Sequence, residues 1–432
     1  MSKAIEMCTK RDLLRLLESD QDAHLDFLQA LVRTPSSNPP GDTRDAVKLV
    51  EQHLRKYGIG SRIIAPHTEA PNLVSVTDGA SKHRSSRRLV LNGHIDCFPV
   101  IDADQWQRDP YSGDILEGFV HGRGVVDMKA GTAASIIAYT YIHRFRSQLG
   151  GQCVLEIVSD EETGGKYGTR YLLDEDEGKE TWKGDCVLNA EPCGLGSVRF
   201  GEKGTLRMTF TVTTQGGHGA YVHHDEGAIR IAARMIDRLV GLEGLKSETQ
   251  DVDLARYLRR QDVRAVADNI MGKGAADSML RPTVNVGTIS GGAKVNMIPS
   301  SCSVEVDIRL PVGLEADTVL SSIDELLCDI PEASYTVQAA ASNPAAQSPI
   351  KHELVHLIQR NAKTIGRSKP VPIVSLGATD CKHFRYHGVP AYSCGPSPDT
   401  QAEINEKVSV EDFLQTIKVH TMTAWDYLGG AA

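Results

Sequence analysis

Apolar residues recur along the chain at two spacings. Residues 11–33 carry apolar side chains at helical spacing, including Leu25, Leu28 and Leu31, and the run ends at the break TPSSNPPGD. The stretch RDAVKLVEQHLRKYGIG predicts a second helix, closed by glycine. Four short apolar runs, RRLVLNG, QCVLEIV, DCVLNA and VPIVSLG, predict strands. This alternation of helices and strands favours an α/β fold with a mostly parallel central sheet flanked by helices.

The middle of the chain has a different pattern. Alternating or apolar stretches predict strands in GTLRMTFTVTTQG, PTVNVGTISGG, SCSVEVDIRLPVG and SYTVQAAA. Helical spacing predicts one helix in GAIRIAARMIDRLVGL, with Ile229, Ala233, Ile236 and Val240 on one face, and another in EADTVLSSIDELLCDI. The resulting β-α-β-β-α-β order is that of a ferredoxin-like unit.

These two patterns predict two domains. The first comprises residues 1–197 and 345–432, and the second is an α+β domain inserted at 198–344. Residues 243–280 are a charged, partly helical excursion within the inserted domain, and their sequence does not assign them a role.

Composition and charge exclude several classes of protein. The 432 residues are 41% apolar and 24% charged, as in a soluble globular protein. The net charge of −9 argues against nucleic-acid and anionic-membrane partners, and no apolar run is long enough to span a bilayer. The first 20 residues lack the apolar core of a signal peptide. The nine cysteines, without CxxC spacing, indicate reduced and mostly buried thiols. We therefore expect a cytoplasmic protein.

Acidic residues and one histidine follow the predicted strands of the first domain. They are His94 and Asp96 in GHID, Asp127 in GRGVVDMKAG, Glu161 and Glu162 in SDEETGG, and Glu191 in NAEPCG. Taken singly, each has an ordinary explanation, such as a solvated acidic turn. Ligands in α/β sheets bind beyond the carboxyl ends of strands, so these side chains are expected to converge.

One histidine with several carboxylates is a ligand set for one or two divalent metal ions. A carboxylate can bridge two ions, and a pair of ions can activate a shared water molecule for hydrolysis. The neighbouring residues Glu161 and Glu162 suit a division of roles, in which one binds metal and the other acts as a base.

Eight motifs in order give the chain a family resemblance. They are LVRTPSSNPPGDT, LNGHIDCFPV, GRGVVDMKAGTAA, SDEETGGKYGT, NAEP, GGHGA, ISGGAKVNMIPSSCSVEVDIRLP and GATDCKHF. Together they resemble the metallopeptidase and amidohydrolase family of acetylornithine deacetylase, succinyl-diaminopimelate desuccinylase, aminoacylase-1 and carboxypeptidase G. The resemblance spans nearly the whole chain. It implies a catalytic, metal-binding first domain and an inserted domain that serves dimerisation or acts as a lid.

The resemblance also implies roles for the residues of the metal site. His94 and Glu191 bind the first ion, Glu162 binds the second, and Asp127 bridges the two ions. In the family the peptide bond after this aspartate is cis. Asp96 orients the imidazole of His94. Glu161 is the general base, which takes a proton from the metal-bound water and later delivers it to the leaving amine.

Further residues match family positions that contact the substrate. In dimeric members, the histidine that corresponds to His218 enters the partner's active site and stabilises the oxyanion. Asn296 and Arg309 match positions that bind the substrate carboxylate, for which a planar guanidinium is well suited. Thr379 and Lys382 lie near the substrate in the family pattern, and Lys382 stands where some members carry arginine. Without the resemblance, the alternative interpretation of His218 is an ordinary histidine in a loop.

One motif departs from the family pattern. The last metal ligand of the family is a histidine in an AHxxNE motif, whereas this chain reads AEINE at 402–406. We align Glu403 with the histidine. Three interpretations remain: Glu403 binds metal in a working two-metal hydrolase, it weakens the second metal site, or the chain has lost hydrolysis. A fourth carboxylate would make the cluster neutral and favour harder ions such as manganese or cobalt over zinc.

The function implied is metal-dependent hydrolysis of an amide bond in an N-acyl amino acid or a small dipeptide-like substrate. The expected cofactors are two divalent ions, with zinc favoured and cobalt or manganese as alternatives. The expected partners are a small substrate with a carboxylate and a second copy of the chain in a homodimer. Two alternatives remain: a non-hydrolytic reaction on the same scaffold, such as amide formation or condensation, and a catalytically silent binding protein.

Overall fold

The computed structural model describes residues 8–80, 86–246 and 252–430. It divides into two compact units. Unit 1 comprises Met1–Phe200, Ser348–Ile373 and Thr379–Ala432, and unit 2 comprises Gly201–Gln347 and Val374–Ala378. The long boundaries lie within three residues of the predicted ones, while the short second segment of unit 2 was not predicted.

Eighteen strands are present in the described residues. In chain order they are β1 (Arg62–Ile64), β2 (Asn72–Asp78), β3 (Arg88–His94), β4 (Ile115–Leu116), β5 (Phe119–His121), β6 (Gln152–Val158), β7 (Cys186–Asn189), β8 (Ser197–Glu202), β9 (Gly204–Thr213), β10 (Gly217–His218), β11 (Thr283–Gly291), β12 (Met297–Ile298), β13 (Ser301–Leu310), β14 (Ala333–Val337), β15 (Ala346–Gln347), β16 (Val371–Ser375), β17 (Ala391–Ser393) and β18 (Lys407–Ser409).

Fourteen α-helices are present in the same described ranges. They are α1 (Lys10–Ser19), α2 (Gln21–Val32), α3 (Arg44–Lys56), α4 (Ala130–Arg144), α5 (Thr169–Asp174), α6 (Lys179–Trp182), α7 (Ala228–Val240), α8 (Val252–Leu258), α9 (Gln261–Met271), α10 (Ala275–Ser278), α11 (Ala316–Leu327), α12 (Glu353–Thr364), α13 (Cys381–Tyr386) and α14 (Val410–Tyr427). The single predicted helix at 11–33 is therefore two helices, which meet at Asp20.

The central sheet has a parallel core with antiparallel strands beside it. Its strands run in the order β1-β2-β6-β3-β7-β17-β8-β15, and β15 pairs antiparallel with β8. Strand β3 pairs in parallel with β6 and β7, and β7 pairs in parallel with β17, whereas β1, β2 and β8 pair antiparallel with their neighbours. Residues of β3 and β6 are buried on both faces, as expected for strands covered by helices on each side. The α/β fold predicted from the sequence is confirmed.

One of the four predicted strands does not belong to this parallel core. β16 pairs with β8 and lies off the main path of the sheet. The fourth parallel strand is β17, which the hydrophobic pattern did not reveal. It is only three residues long, too short for a distinct apolar run.

Helix α4 lies beside the sheet and begins just after Asp127. All residues from Ala130 to Ile142 are buried, in agreement with the small and apolar sequence AGTAASIIAYTYI. Helix α14 packs against α4 and is also largely buried. A helix that is buried all round is held by packing on every side, which gives the preceding loop a fixed end.

Unit 2 is the ferredoxin-like domain that the middle of the chain predicts. Its four-stranded sheet has the order β11-β13-β9-β14, and all three pairings are antiparallel. Side chains from β9, β13, α7 and α11 form one apolar core, which includes Phe210, Met235, Val304 and Ile323. β11 lies at one edge of this sheet.

The buried face of α7 is not the apolar face that its sequence spacing shows. The residues in the core are Ala228, Ile231, Ala232, Met235 and Leu239. The four residues that the spacing places on one face are less buried: Ile229 and Val240 are 39% and 44% exposed, Ala233 is exposed, and Ile236 is partly buried. The helix is apolar on two faces, so periodicity alone did not identify the core face.

The excursion predicted at 243–280 contains α8, α9 and α10, apart from 247–251, which lie outside the described residues. Lys203, which directly precedes β9, holds the C-terminal end of this excursion by hydrogen bonds. The buried Lys203 ammonium donates to the backbone oxygens of Ser278 and Arg281 at 3.0 and 2.9 Å, and to the hydroxyl of Thr283 at 3.1 Å. Three acceptors satisfy all three donors of a lysine.

Two further observations bear on the properties expected from composition. All nine cysteines are free and eight are buried, which confirms the predicted thiol pattern; Cys328 is the exposed one. Among the described residues, no helix combines the length and the apolar character needed to cross a bilayer.

Candidate metal centre

Three adjacent parallel strands bring two predicted ligands, His94 and Glu191, and the predicted base Glu161 to one edge of the sheet. β3 lies between β6 and β7, and its last residue is His94. Glu161 follows the end of β6 by three residues, and Glu191 follows the end of β7 by two. Because the three strands are parallel, their carboxyl ends coincide, which is where α/β sheets bind ligands.

His94 is the centre of the cluster and is almost completely buried. Its Nε2 atom lies 3.2 Å from Oδ1 of Asp127 and 3.4 Å from Oε1 of Glu191. Its Nδ1 atom lies 2.9 Å from the backbone oxygen of Asp96. A hydrogen bond from Nδ1–H to that oxygen leaves Nε2 free to bind metal, facing the two carboxylates.

Asp96 is fully buried and contacts both His94 and the turn that carries Glu161 and Glu162. One carboxylate oxygen lies 3.4 Å from Nδ1 of His94 and accepts from the backbone N–H of Glu161 at 3.3 Å. The other oxygen accepts from the backbone N–H of Glu162 at 3.2 Å and from the side chain of Asn38 at 2.9 Å. Asp96 therefore contacts the imidazole and also fixes the short turn that carries both glutamates.

Asp127 lies in a turn of irregular backbone between β5 and α4. The peptide bond to Met128 is cis, as the family resemblance implies. The buried carboxylate of Glu406 accepts from the backbone N–H groups of Gly124, Val126 and Asp127, at 3.0, 2.8 and 3.3 Å. It also forms a buried ion pair with Arg123 at 2.8 Å. Glu406 thus holds the turn that presents Asp127.

The ligand atoms form two groups suited to metal ions. One group joins His94, Glu161 and Glu191, and the other joins His94, Asp127 and Glu162; within each, the ligand atoms lie within 4.8 Å of one another. The buried oxygen Oε1 of Glu162 has no hydrogen-bond partner among the described residues. Such an orphaned buried carboxylate oxygen fits a cation as its partner.

Electrostatics support the same conclusion. Burial raises the pKa of Glu162 well above its ordinary value, and the nearby charge of Asp127 raises it further. Burial also raises the pKa of Glu161, an effect opposed by the positive charge of Lys382. A bound divalent cation would stabilise these crowded carboxylates in their charged form.

Two predicted substrate residues lie beside this cluster. Lys382, at the start of α13, is buried, and its ammonium lies 3.9 Å from Oε1 of Glu161. It also donates to the backbone oxygen of Thr379 at 3.1 Å. Thr379 is buried as well, and its hydroxyl accepts from the backbone N–H of Cys381 at 3.2 Å.

The other predicted substrate residues lie in unit 2. His218 and Asn296 are both exposed and lie side by side, because β10 pairs with β12 and Gly219 N–H donates to the backbone oxygen of Asn296 at 2.9 Å. Arg309 lies near the far end of β13, eight residues beyond Ser301, or about 26 Å along the strand. There it pairs with Asp307 at 3.0 Å. Unit 2 therefore brings His218 and Asn296 together but not Arg309.

Glu403 does not join the ligand cluster. Its side chain is exposed and belongs to neither group of ligand atoms. Instead, the side-chain amide of Gln401 donates to Oδ2 of Asp127 at 2.7 Å. Counting back through the two variable positions of AHxxNE from Asn405 and Glu406 reaches Ala402, so Glu403 is one residue beyond the position of the family histidine.

Three residues at the centre were not assigned from the sequence. Asn38 supports Asp96, Glu406 supports the Asp127 turn, and Gln401 contacts Asp127 itself. Asn38 lies in SSNPPGD, a helix break within the first family motif, and Glu406 closes the NE pair of AEINE; neither pattern assigns these two residues a role. The available signal is the spacing of AHxxNE, which places Ala402 at the histidine position and Gln401 directly before it.

Comparison with known proteins places these features in context. The family model described as "Peptidase family M20/M25/M40" matches residues 90–426. A succinyl-diaminopimelate desuccinylase from Cereibacter sphaeroides is 27% identical over 403 residues, which cover 92% of this chain and 97% of that protein. An N-formyl-4-amino-5-aminomethyl-2-methylpyrimidine deformylase from Halalkalibacterium halodurans is 24% identical, with coverage of 94% and 95%.

The fold is similar to that of a solved structure. An M20 family metallo-carboxypeptidase from Sulfolobus solfataricus superposes with a TM-score of 0.78 at 18% identity, covering 94% of this chain and 99% of the other. At this identity the likeness establishes the fold alone.

Proposed function

Because the chain belongs to peptidase family M20/M25/M40 and is a hydrolase of amide or peptide bonds, we propose that it hydrolyses the amide bond of an N-acyl amino acid or a small dipeptide-like substrate. The observation that carries this proposal is the convergence of His94, Glu161, Glu162 and Glu191, at the carboxyl ends of parallel strands, with Asp127 from the turn before α4. None of the proteins compared above is described as catalysing amide formation or condensation.

The side chains divide the work of hydrolysis. His94 and Glu191 would hold one divalent cation, Glu162 would hold a second, and Asp127 would serve both positions. When bound, such cations would supply Lewis-acid polarisation of the amide carbonyl and would lower the pKa of the attacking water. Glu161 takes the proton from that water and returns it to the leaving amine nitrogen, so that a carboxylic acid and an amine are released. Zinc is the favoured metal, with cobalt or manganese as alternatives.

The substrate carries a carboxylate. Lys382 supplies a buried positive charge within 4 Å of Glu161, which would attract a substrate anion toward the base. Arg309 supplies a planar guanidinium that is held in place by Asp307. His218 contributes to stabilisation of the oxyanion, and Asn296 and Thr379 orient the substrate.

A homodimer through unit 2 completes the proposal. The outward stripe of α7, with Ile229 and Val240, lies beside the edge strand β11, whose Ile289 is 53% exposed. An apolar stripe next to an unpaired strand edge fits a self-complementary contact with a second copy. The buried free thiols fit a reducing compartment, and we propose that the protein is cytoplasmic.

The experiment is a screen of N-acyl amino acids and dipeptides with apoprotein reconstituted separately with zinc, cobalt and manganese. Glu161→Gln should lower kcat by about 100- to 10,000-fold while the bound metal per chain stays unchanged. The matched control is Glu177→Gln at an exposed position of unit 1, which should retain full activity. Hydrolysis of no substrate with any metal, or full activity of Glu161→Gln, would refute the proposal.

The carboxylate requirement has its own comparison. Each active N-acyl amino acid should be tested beside its carboxamide, which keeps the scissile bond and removes the negative charge. We expect a KM for the carboxamide that is raised at least tenfold. Equal KM values for the acid and the carboxamide would show that Lys382 and Arg309 do not bind the substrate carboxylate.

A further inference from the structure

The loop that follows β17 contains the segment AEINE, which departs from the family motif. Side chains close together in this loop differ in their burial and contacts. Thr400 and Ala402 have positive φ angles of 66° and 60°. Between them, Gln401 is half-buried and contacts Asp127, whereas Glu403 is exposed. The loop is closed at its base, because the Thr400 hydroxyl accepts from the backbone N–H of Lys407 at 3.0 Å and donates to its backbone oxygen at 3.1 Å.

The two oxygens of Asp127 have corresponding neighbours. Oδ1 lies 3.2 Å from Nε2 of His94, which is a ligand of the first cation in the proposed function. Oδ2 lies 2.7 Å from the side-chain amide of Gln401. If Asp127 binds one cation through each oxygen, His94 lies beside the oxygen that binds the first cation. Gln401 lies beside the oxygen that binds the second.

We propose that Gln401, and not Glu403, is the remaining protein ligand of the second metal position, through its side-chain amide oxygen. This inference rests on the proposed two-metal hydrolase. A carboxylate alone attracts the NH₂ end of an amide, whereas a cation on the same carboxylate attracts its oxygen. A half-turn about the last side-chain bond exchanges the two ends without moving the rest of Gln401.

The chemistry of the second position then follows from its donor set. Asp127, Glu162 and Gln401 supply only oxygen, which suits harder ions such as Mn²⁺, while the first position retains the imidazole of His94. A neutral amide also preserves the charge of the cluster. Three carboxylates against two divalent ions leave one net positive charge, as they would with a histidine ligand, whereas a Glu403 ligand would leave none.

The experiment measures metal binding and not turnover. Apoprotein is titrated with Mn²⁺ by calorimetry, and the metal per chain is counted after dialysis, for the natural chain and for Gln401→Ala, Gln401→Glu and Glu403→Gln. We expect two ions per chain, with Gln401→Ala weakening the second at least tenfold and leaving the first unchanged. Gln401→Glu keeps an oxygen in place and should retain both ions, and Glu403→Gln should match the natural chain.

Other results would overturn the inference. They are an unchanged second ion in Gln401→Ala, a Glu403→Gln variant that loses the second ion, or a natural chain that binds only one ion. The retained first ion shows that Gln401→Ala is folded. A natural chain that binds no Mn²⁺, Zn²⁺ or Co²⁺ would instead refute the proposed function, so the two failures are distinguishable.

Discussion

At the scale of single residues, the candidate metal centre depends on buried side chains that lie outside its two groups of ligand atoms. Glu406 shows this most clearly, because its carboxylate accepts from three backbone N–H groups of the Asp127 turn and pairs with Arg123. Both partners of that pair are 1% exposed. Removal of one charge therefore leaves the other buried without compensation.

We accordingly predict that Glu406→Gln destabilises the protein by about 3 to 5 kcal/mol, the range for breaking a buried ion pair by removing one partner. The measurement is urea unfolding in the presence of EDTA, so that metal binding does not contribute to the difference. The control is Glu353→Gln, which breaks an exposed pair with Arg87 and should cost less than about 1 kcal/mol. Equal effects of the two substitutions would contradict the structural role of Glu406.

Sequence reasoning assigned roles to the residues that gather at the site, but not to the residues that support them. His94, Glu161 and Glu191 each follow an apolar strand, so strand order alone brings them together. Gln401 and Glu403 lie two positions apart in a loop that has no period, so the sequence does not indicate that Gln401 contacts Asp127 while Glu403 is exposed. Only the backbone angles of that loop, such as the positive φ of Ala402, determine which side chain reaches Asp127.

At the scale of elements, the pairing of α2 with α3 places a histidine in an apolar contact. His53 stacks on Phe27 with ring centroids 3.7 Å apart, and its Nε2 atom has no hydrogen-bond partner among the described residues. Burial lowers the pKa of His53 to about 4, from 6.5 in the unfolded chain. The unfolded chain therefore binds a proton below pH 6.5 that the folded chain does not.

This difference predicts a specific loss of stability in acid. The contribution of neutral His53 is complete above pH 6.5 and decreases as the pH falls toward 4, by at most about 1.4 kcal/mol per pH unit. Between pH 7.5 and pH 5, we expect the free energy of unfolding of His53→Gln to decrease by about 2 kcal/mol less than that of the natural chain. Urea unfolding at both pH values measures it. The exposed control His356→Gln should behave as the natural chain does; equal acid sensitivity of both variants would refute the assignment.

The element predictions failed where one local pattern allows two tertiary outcomes. The sequence of α7 has apolar residues on two stripes, and only the position of the β-sheet selects Met235 and Leu239 as core residues over Ile229 and Val240. β17 has three residues and no distinct period, yet it completes the parallel core because β7 offers it a free edge. Such choices depend on contacts between elements, which a single-sequence pattern does not contain.

At the scale of the whole molecule, the outward stripe of α7 and the edge strand β11 are surfaces that a monomer would leave in contact with water. His218 and Asn296 belong to the same unit and are exposed, although the family resemblance assigns them to an active site. A homodimer explains both observations if each copy supplies His218 to the metal centre of its partner.

That arrangement predicts complementation between two inactive variants. Glu161→Gln and His218→Ala should each have little activity alone, the second with a loss of about 100- to 1,000-fold. When the two are mixed and allowed to exchange subunits, a hybrid dimer has one complete site, which joins Glu161 of one copy to His218 of the other. Random exchange makes half of the dimers hybrid, so activity should recover to about a quarter of the natural value. A mixture of Glu161→Gln with the double variant Glu161→Gln/His218→Ala contains no complete site, so its activity should not recover. If His218 acted within its own copy, neither mixture would gain activity, since every chain would then lack one of the two groups.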